Sequence, residues 1–311
     1  MRVLITGVSG GLARMLAQHL ALLGHEVLGV DRRPWVDPPA SIKVFNADIR
    51  KRPAEDIFRH HRPEVVIHMA TVTHLSARQQ ERYRINLGGT QIIFEHCNTY
   101  GVKQAIFIGR HTVYGAAPDA PLYRSEAEPP LATATYPPLA DLVAADLFAG
   151  SALWRYPQLD TTVLRLAYTL GPSMRGKLAS FLGDRLEARI PTVLGFDPLF
   201  QVMHESDAVT AITAALNHNL RGVFNVAGPE PIPLSTLCRG VGRTPVPLPE
   251  PLYALLAQRL SLTPLPTSAL GHIKYPVVVQ DQPFRSLTGY SAHIGQVELL
   301  ESFKSYSRAP R

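Results

Sequence analysis

The sequence predicts an α/β protein: a doubly wound parallel sheet with a smaller lobe toward its C-terminal end. Three observations carry that expectation. Strand and helix patterns alternate through the first half of the 311 residues, the order that builds a parallel sheet covered on both faces. A glycine turn, Thr6-Gly7-Val8-Ser9-Gly10-Gly11-Leu12-Ala13, joins the first strand to the first helix. After Gly171-Pro172 the alternation gives way to shorter and less regular segments.

Arg2 to Thr6 reads as a short apolar strand, and Leu12 to Leu23 carries apolar residues at helical spacing, closed by Gly24. His25 to Val30 is a second strand ending in Asp31, Ile42 to Phe45 a third, and Pro53 to His61 a helix. Glu64 to Met69 is a buried strand running into Ala70-Thr71, Arg78 to Tyr100 a long helix, and Gln104 to Ile108 the next strand. Leu139 to Leu153 is an apolar helix and Thr161 to Ala167 a sixth strand. Beyond these, a helix is expected at Lys177 to Arg189, a short strand at Gln201 to His204, a helix at Ser206 to Leu216 and a strand at Gly222 to Val226. Ser235 to Pro276 reads as irregular apart from a helix at Leu252 to Leu260, and Gln296 to Tyr306 is a terminal helix. The expected division is residues 1–170 as a nucleotide-binding unit and 171–311 mainly as a substrate lobe, with segments around 201–226 returning to the sheet.

The glycine turn has a chemical purpose. Gly7 suits a backbone conformation that a β-carbon disfavours, and Gly10 lets a pyrophosphate approach the main chain. The helix that follows presents free N–H groups and the positive end of its dipole to that phosphate. Asp31 lies about 20 residues beyond the glycines, where a carboxylate accepts the ribose hydroxyls of NAD and repels a 2′-phosphate. Arg32 and Arg33 follow directly and suit a 2′-phosphate, so NADP stays open beside NAD.

Composition narrows the class. Hydrophobic residues make up 46% of the chain, enough for a large core, and no run of 18 apolar residues suggests a membrane span. The first strand starts at Arg2, which leaves no room for a signal peptide. Cys97 and Cys238 are isolated, against a disulfide or metal role and consistent with a reducing cytoplasm. The formal charge of +6 permits an anionic ligand such as a nucleotide, but the basic residues are scattered, which argues against nucleic acid. His60-His61 lacks a carboxylate or thiol partner at ligand spacing, so no metal is expected.

These residues resemble the extended short-chain dehydrogenase/reductases, the NAD-dependent epimerase/dehydratase family, over nearly the whole chain. The resemblance rests on the Thr6-to-Ala13 turn, Asp31, Asp48-Ile49, His68-Met69-Ala70, Asn86-Leu87-Gly88-Gly89-Thr90, Val113-Tyr114-Gly115, Leu164-Arg165, Gly171-Pro172, His204 to Val209, Phe224-Asn225-Val226 and Leu287-Thr288-Gly289-Tyr290. It implies a Rossmann-type fold and NAD as cofactor. It further implies that Gly7, Ser9, Gly10, Gly11, Leu12, Asp31, Arg32, Asp48, Ile49, Met69, Ala70, Thr71, Asn86 and Tyr136 bind the cofactor, with Asp48 at the adenine and the Met69-Ala70-Thr71 turn along the dinucleotide. Related proteins pair the helices corresponding to Arg78–Tyr100 and Leu139–Leu153 across a dimer, so a homodimer is expected.

The family's chemistry uses a Ser or Thr four residues before the Tyr of the V-Y-G turn and a Tyr-x-x-x-Lys. Here Arg110 holds the first position. Tyr136 holds the second, with Ala140 where the Lys belongs. A tyrosine base working near pH 7 needs its pKa lowered by about 3, or about 4 kcal/mol, and the Lys ammonium supplies much of that. Alanine supplies none. Pro137 and Pro138 also delay the next helix. Two functions follow. One is a cofactor-binding sensor or scaffold that has lost the usual hydride chemistry. The other is an active oxidoreductase, epimerase or dehydratase, on a nucleotide sugar or a hydrophobic small molecule, with a rearranged site drawn from Tyr136, Arg110, His111 and Thr112.

Overall fold

The computed structural model describes residues 1–73, 78–174, 176–183 and 189–308. Seven parallel strands form the central sheet: β1 Arg2–Thr6, β2 Glu26–Asp31, β3 Ile42–Asn46, β4 Val65–His68, β5 Gln104–Arg110, β6 Asp160–Leu166 and β7 Gly222–Val226. Their spatial order is β7-β6-β5-β4-β1-β2-β3, so the chain winds outward first one way and then the other. The order reverses between β1 and β4, and a crevice opens there at the C-terminal strand ends. Register is tight through the centre, with Val3, Leu4, Ile5 and Thr6 of β1 opposite Val65, Val66, Ile67 and His68 of β4.

Strand side chains alternate between two cores. Val3 and Ile5 point to one face, covered by α1 (Gly11–Leu22) through Ala13, Leu16 and Leu20 and by Ala208, Ala211 and Ile212 of a later helix. Leu4, Val66 and Phe107 point to the other. That face is covered by Phe58 of α2 (Arg52–His61), by Ile93 and Phe94 of α3 (79–99), and by Ala145, Ala149 and Ala152 of α4 (Ala140–Arg155). Helix α3 runs from Gln79–Tyr83 through a π-helical turn, Arg84–Gly88, into Gly89–Thr99. The helix on the first face is α5 (Glu205–Asn217). A third core, with Leu178, Ile190, Phe200, Leu237, Tyr253 and Phe303, lies under the C-terminal segments.

The sequence expectations hold for the sheet and its helices within a residue or two. Further on, the structure departs from them. The helix expected at Lys177 to Arg189 spans Lys177–Gly183; residues 184–188 lie outside the described residues, and Arg189 opens a strand, Arg189–Val193. The stretch read as irregular contains a helix, Leu234–Gly240, and a strand, Thr244–Leu248, that pairs in parallel with Arg189–Val193. Pro245 and Pro247 conceal that strand in the sequence, because proline removes ladder donors and is tolerated where only one side of a strand is paired. Val202–His204 is a strand as expected, but it pairs with Tyr168–Leu170 rather than joining the large sheet. Among the described residues no helix is long and apolar enough to cross a membrane, and no cluster of His, Cys, Asp or Glu could hold a metal.

His68 is locked into the centre of the sheet. Thr90 donates its single hydroxyl proton to the carbonyl of Asn86, so His68 Nε2–H donates to Thr90 Oγ1 at 3.0 Å. Nδ1 therefore carries the lone pair and accepts from Thr6 Oγ1 at 2.6 Å, while Thr6 Oγ1 accepts from the Met69 and Ala70 amides. Burial pulls the His68 pKa down to about 3, so the unfolded chain binds the proton first as pH drops. The contribution of the neutral ring to stability is complete above about pH 6.5 and is lost as pH falls toward 3. Urea midpoints measured from pH 7.5 to 4 should fall below pH 6.5, and His68→Gln should flatten that slope by about 1.4 kcal/mol per pH unit.

Candidate functional site

A cavity of about 520 Å³ opens at the C-terminal strand ends and is lined from the ends of β1 to β6. Gly7 starts it. Its φ is +73°, and a β-carbon there would lie 2.8 Å from Ala70 Cα, so only glycine lets β1 and the end of β4 come this close. Gly10 caps α1 without a side-chain hydrogen bond, and the first turn of α1 has no acidic residue. The leading N–H groups of that helix thus face the cavity uncapped, beside Gly11 and Leu12 in its lining.

At the β2 end, the Asp31 carboxylate accepts from Ser9 N at 3.1 Å and Arg33 N at 2.9 Å. Ser9 Oγ donates to Arg33 O at 2.8 Å. Ser9 thus stitches the glycine turn to the end of β2 and is not among the residues that line the cavity; its contribution is to hold Asp31. Asp48 is clamped by Arg50 through Nε at 2.9 Å and Nη2 at 2.7 Å. Those bonds hold its carboxyl at about 2, fully ionised at neutral pH. Arg32 reaches Glu81 at 3.9 Å, and Arg33 reaches Asp31 at 3.5 Å. Arg32, Arg33, Asp48 and Ile49 all line this end.

The far end is built from β4, β5 and β6. Met69, Ala70 and Thr71 line it after β4. Asn86 does not line it. Its side chain is spent on bonds to both backbone groups of Val72, at 2.6 and 2.9 Å, and on Asp141. Asp141 in turn is ion-paired with the buried Arg82 of α3. Asn86 therefore fixes the loop after β4 from behind, an arrangement the sequence could not distinguish from ligand contact.

Arg110, His111 and Thr112 line the cavity at the end of β5. Arg110 is half-buried, and its guanidinium makes no hydrogen bond or ion pair among the described residues. His111 is 1% exposed. Its Nδ1–H donates to the Leu166 carbonyl at 3.1 Å, and its Nε2 has no partner. Burial, chiefly, pulls its pKa to about 4, so Nε2 holds a lone pair at neutral pH. Tyr168, just past β6, lines the same end with its ring edge-on to His111, centroids 4.5 Å apart. Burial pushes its hydroxyl up to about 12, against the pull of the Arg110 cation.

Tyr136 is placed elsewhere. It is not in the cavity lining; its ring packs edge-on against His272 at 5.4 Å, just before the turn Pro137–Leu139 that delays α4 until Ala140. The two prolines set this, since they stop a helix from starting at Tyr136. The lining thus holds Tyr168 where Tyr136 was expected, together with Ser173, which lies against Gly11, and the buried Glu205, which accepts from Ser173 N. A strand predicted to end at Ala167 already places Tyr168 in the crevice, and that is the signal in the sequence that points to it.

Behind this end lies a buried network. Arg165 of β6 bonds Asp146 of α4 through Nη2 at 2.6 Å and through Nε at 3.1 and 3.2 Å. Arg165 also donates to the Tyr114 hydroxyl at 2.8 Å, and Tyr114 donates to Asn225 of β7 at 2.9 Å.

Comparison with known proteins matches this architecture. The family model for the NAD-dependent epimerase/dehydratase family covers residues 3–227, and the chain belongs to that family. A 3-diazoavenalumate denitrifying reductase from Streptomyces sp is 30% identical, over 84% of this chain and 87% of that one. An uncharacterized protein of Mycobacterium tuberculosis is 26% identical, over 97% and 82% of the two chains. UDP-glucose 4-epimerase of Thermus thermophilus, solved with NAD, superposes with a TM-score of 0.80 at 21% identity over 99% of both chains, which establishes the fold. NAD is the family's cofactor. The uncapped α1 N-terminus, the close approach at Gly7 and the Asp31 carboxylate fit a dinucleotide.

Asp146→Ala leaves Arg165 charged and unpaired inside the protein, and urea denaturation should show a loss of about 3–5 kcal/mol. Asp31→Ala should weaken NADH binding about tenfold and narrow its margin over NADPH, since Arg32 and Arg33 then face the 2′-position unopposed; calorimetry of both cofactors checks this.

Proposed function

We propose that this protein is an NAD-dependent oxidoreductase whose proton-handling groups are His111 and Tyr168 rather than the usual Ser/Thr and Tyr-x-x-x-Lys set. The observation that carries the reading is the buried, unpartnered Nε2 of His111, a residue of the cavity lining. Bound NAD supplies or removes hydride. The chain's own groups orient the substrate and exchange its proton: His111 as a neutral acceptor, Tyr168 as a neutral donor at pH 7, and Thr112 as a further hydroxyl. The reductase name of the Streptomyces relative supports redox chemistry over sugar epimerisation.

Within this reading, residues 1–170 hold the cofactor through Gly7, Gly10, Gly11, Leu12, Asp31, Arg32, Asp48, Ile49, Met69, Ala70 and Thr71 and also supply Arg110, His111, Thr112 and Tyr168, while residues 171–311 add Ser173, Leu178 and Glu205 to the lining. NAD is the preferred dinucleotide, with NADP admissible through Arg32 and Arg33. A homodimer goes with it: Leu147 and Trp154 of α4 are 52% and 80% exposed, seven residues apart on one face of the helix. The buried free thiols Cys97 and Cys238 suit a cytoplasmic setting.

The test is NADH titration followed by a turnover screen with carbonyl and unsaturated acceptors. His111→Gln and Tyr168→Phe should each lower kcat by about 10²–10⁴-fold, whereas Tyr136→Phe should stay within about twofold. NADH binding with no turnover in any acceptor would favour the sensing or scaffold role instead. Loss of activity in Tyr136→Phe equal to that in Tyr168→Phe would refute the assignment.

A further inference from the structure

The cavity lining contains four arginines that differ in their partners. Arg33 lies against Asp31, Arg50 against Asp48 and Glu81, and Arg32 against Glu81. Arg110 has no counter-charge among the described residues. The acidic groups of the lining are committed as well: Asp31 and Asp48 to the β2 and β3 end, and Glu205 to the backbone and hydroxyl of Ser173. The other polar groups near Arg110 are uncharged at neutral pH, since His111 titrates at about 4 and Tyr168 at about 12.

Position separates Arg110 from the phosphate cradle. It ends β5, opposite Leu166 of β6, and β4 lies between β5 and the glycine turn of β1. Its surroundings are apolar and aromatic: Ile108, Leu166, Ala167 and the Tyr168 ring, which stacks on Phe200 at 5.7 Å. A half-buried cation with no partner, set in an apolar wall, is costly unless a ligand completes it. A guanidinium completes best with a planar two-oxygen anion, in two parallel hydrogen bonds.

We propose that Arg110 is the anchor for a carboxylate on the substrate, and that the substrate is an aromatic or otherwise apolar small molecule bearing that single carboxylate. This deepens the oxidoreductase reading and rests on it. The carboxylate docks on the guanidinium, the apolar body lies against Leu166, Ala167 and Tyr168, and the reacting group falls within the reach of His111. A neutral substrate would leave the Arg110 charge unmatched and bind poorly, which makes Arg110 the selecting residue.

The probe pair is benzoate and benzamide, equal in shape and different in charge, titrated calorimetrically into NADH-saturated protein so that the arginines of the cofactor end are already covered. Benzoate should bind at least about tenfold more tightly than benzamide. Arg110→Met should bring benzoate down to the benzamide level, and Arg110→Lys should restore part of the preference. Failure of the wild-type protein to bind NADH would sink the cofactor reading and this proposal with it. NADH binding with equal affinity for the two probes, or with no detectable benzoate binding, would sink the carboxylate assignment alone. Tighter binding of phenyl phosphate than of benzoate would also overturn it, as would an Arg110→Met protein that keeps the preference.

Discussion

The buried pair between Asp146 and Arg165 sets the geometry on which the Arg110 end of the cavity depends. The two residues come from different layers, Asp146 from α4 and Arg165 from β6, and are 1% and 5% exposed. Neither could be buried alone, because an unpaired ion in the interior costs several kcal/mol. Their pairing fixes where α4 sits on the sheet. It leaves no room at Gly109, where a β-carbon would stand 3.0 Å from the Asp146 carboxylate. Arg165 then reaches the Tyr114 hydroxyl, and Tyr114 reaches Asn225 on the edge strand. The segment from Gly109 to Tyr114 is thereby held at both ends. Arg110, His111 and Thr112 lie within it, so a network that never touches the cavity determines which side chains line it.

A second constraint acts at the glycine-turn end. Gly7 brings β1 against Ala70, and Thr6 ties the same two strand ends through His68 and the amides of Met69 and Ala70. The π-helical turn in α3 carries Asn86, which pins the loop after β4 through Val72, and Arg82 and Asp141 close that contact from α4. The cavity is thus a seam between strands whose ends are cross-linked by polar bonds, mostly out of contact with solvent. Such bonds are strong where water is excluded and costly to leave half-made. They favour a preformed site over one assembled on binding.

The two ends differ electrostatically. Around Asp31 and Asp48 each charge has a partner, so that end is balanced before any ligand arrives. Around Arg110 the balance is missing. Arg110 at the end of β5 is a cation left without a counter-charge among the described residues. That cation lies beside Tyr168 yet leaves its hydroxyl near 12, so Tyr168 stays a proton donor at neutral pH and does not become a phenolate base.

By itself the sequence determined the layered architecture and the glycine turn at the end of β1. Periodicity of 2 and 3.6 follows from local geometry, and a glycine turn between strand and helix has few other uses. The same local logic explains why the prolines after Tyr136 delay α4. Tertiary structure alone decided the Arg110 end of the cavity. Whether Tyr136 faces the crevice, whether Asn86 and Ser9 touch ligand or brace backbone, and whether Arg110 finds a partner all depend on residues distant in the chain. The predicted end of β6 points to Tyr168, but its placement beside His111 comes from the alignment of β5 with β6, residues 104–110 against 160–166. The strand Thr244–Leu248, hidden by its own prolines, exists because Arg189–Val193 offers it one paired edge. Pairing, burial and charge balance between distant segments are sums over the whole fold, and no local pattern encodes them.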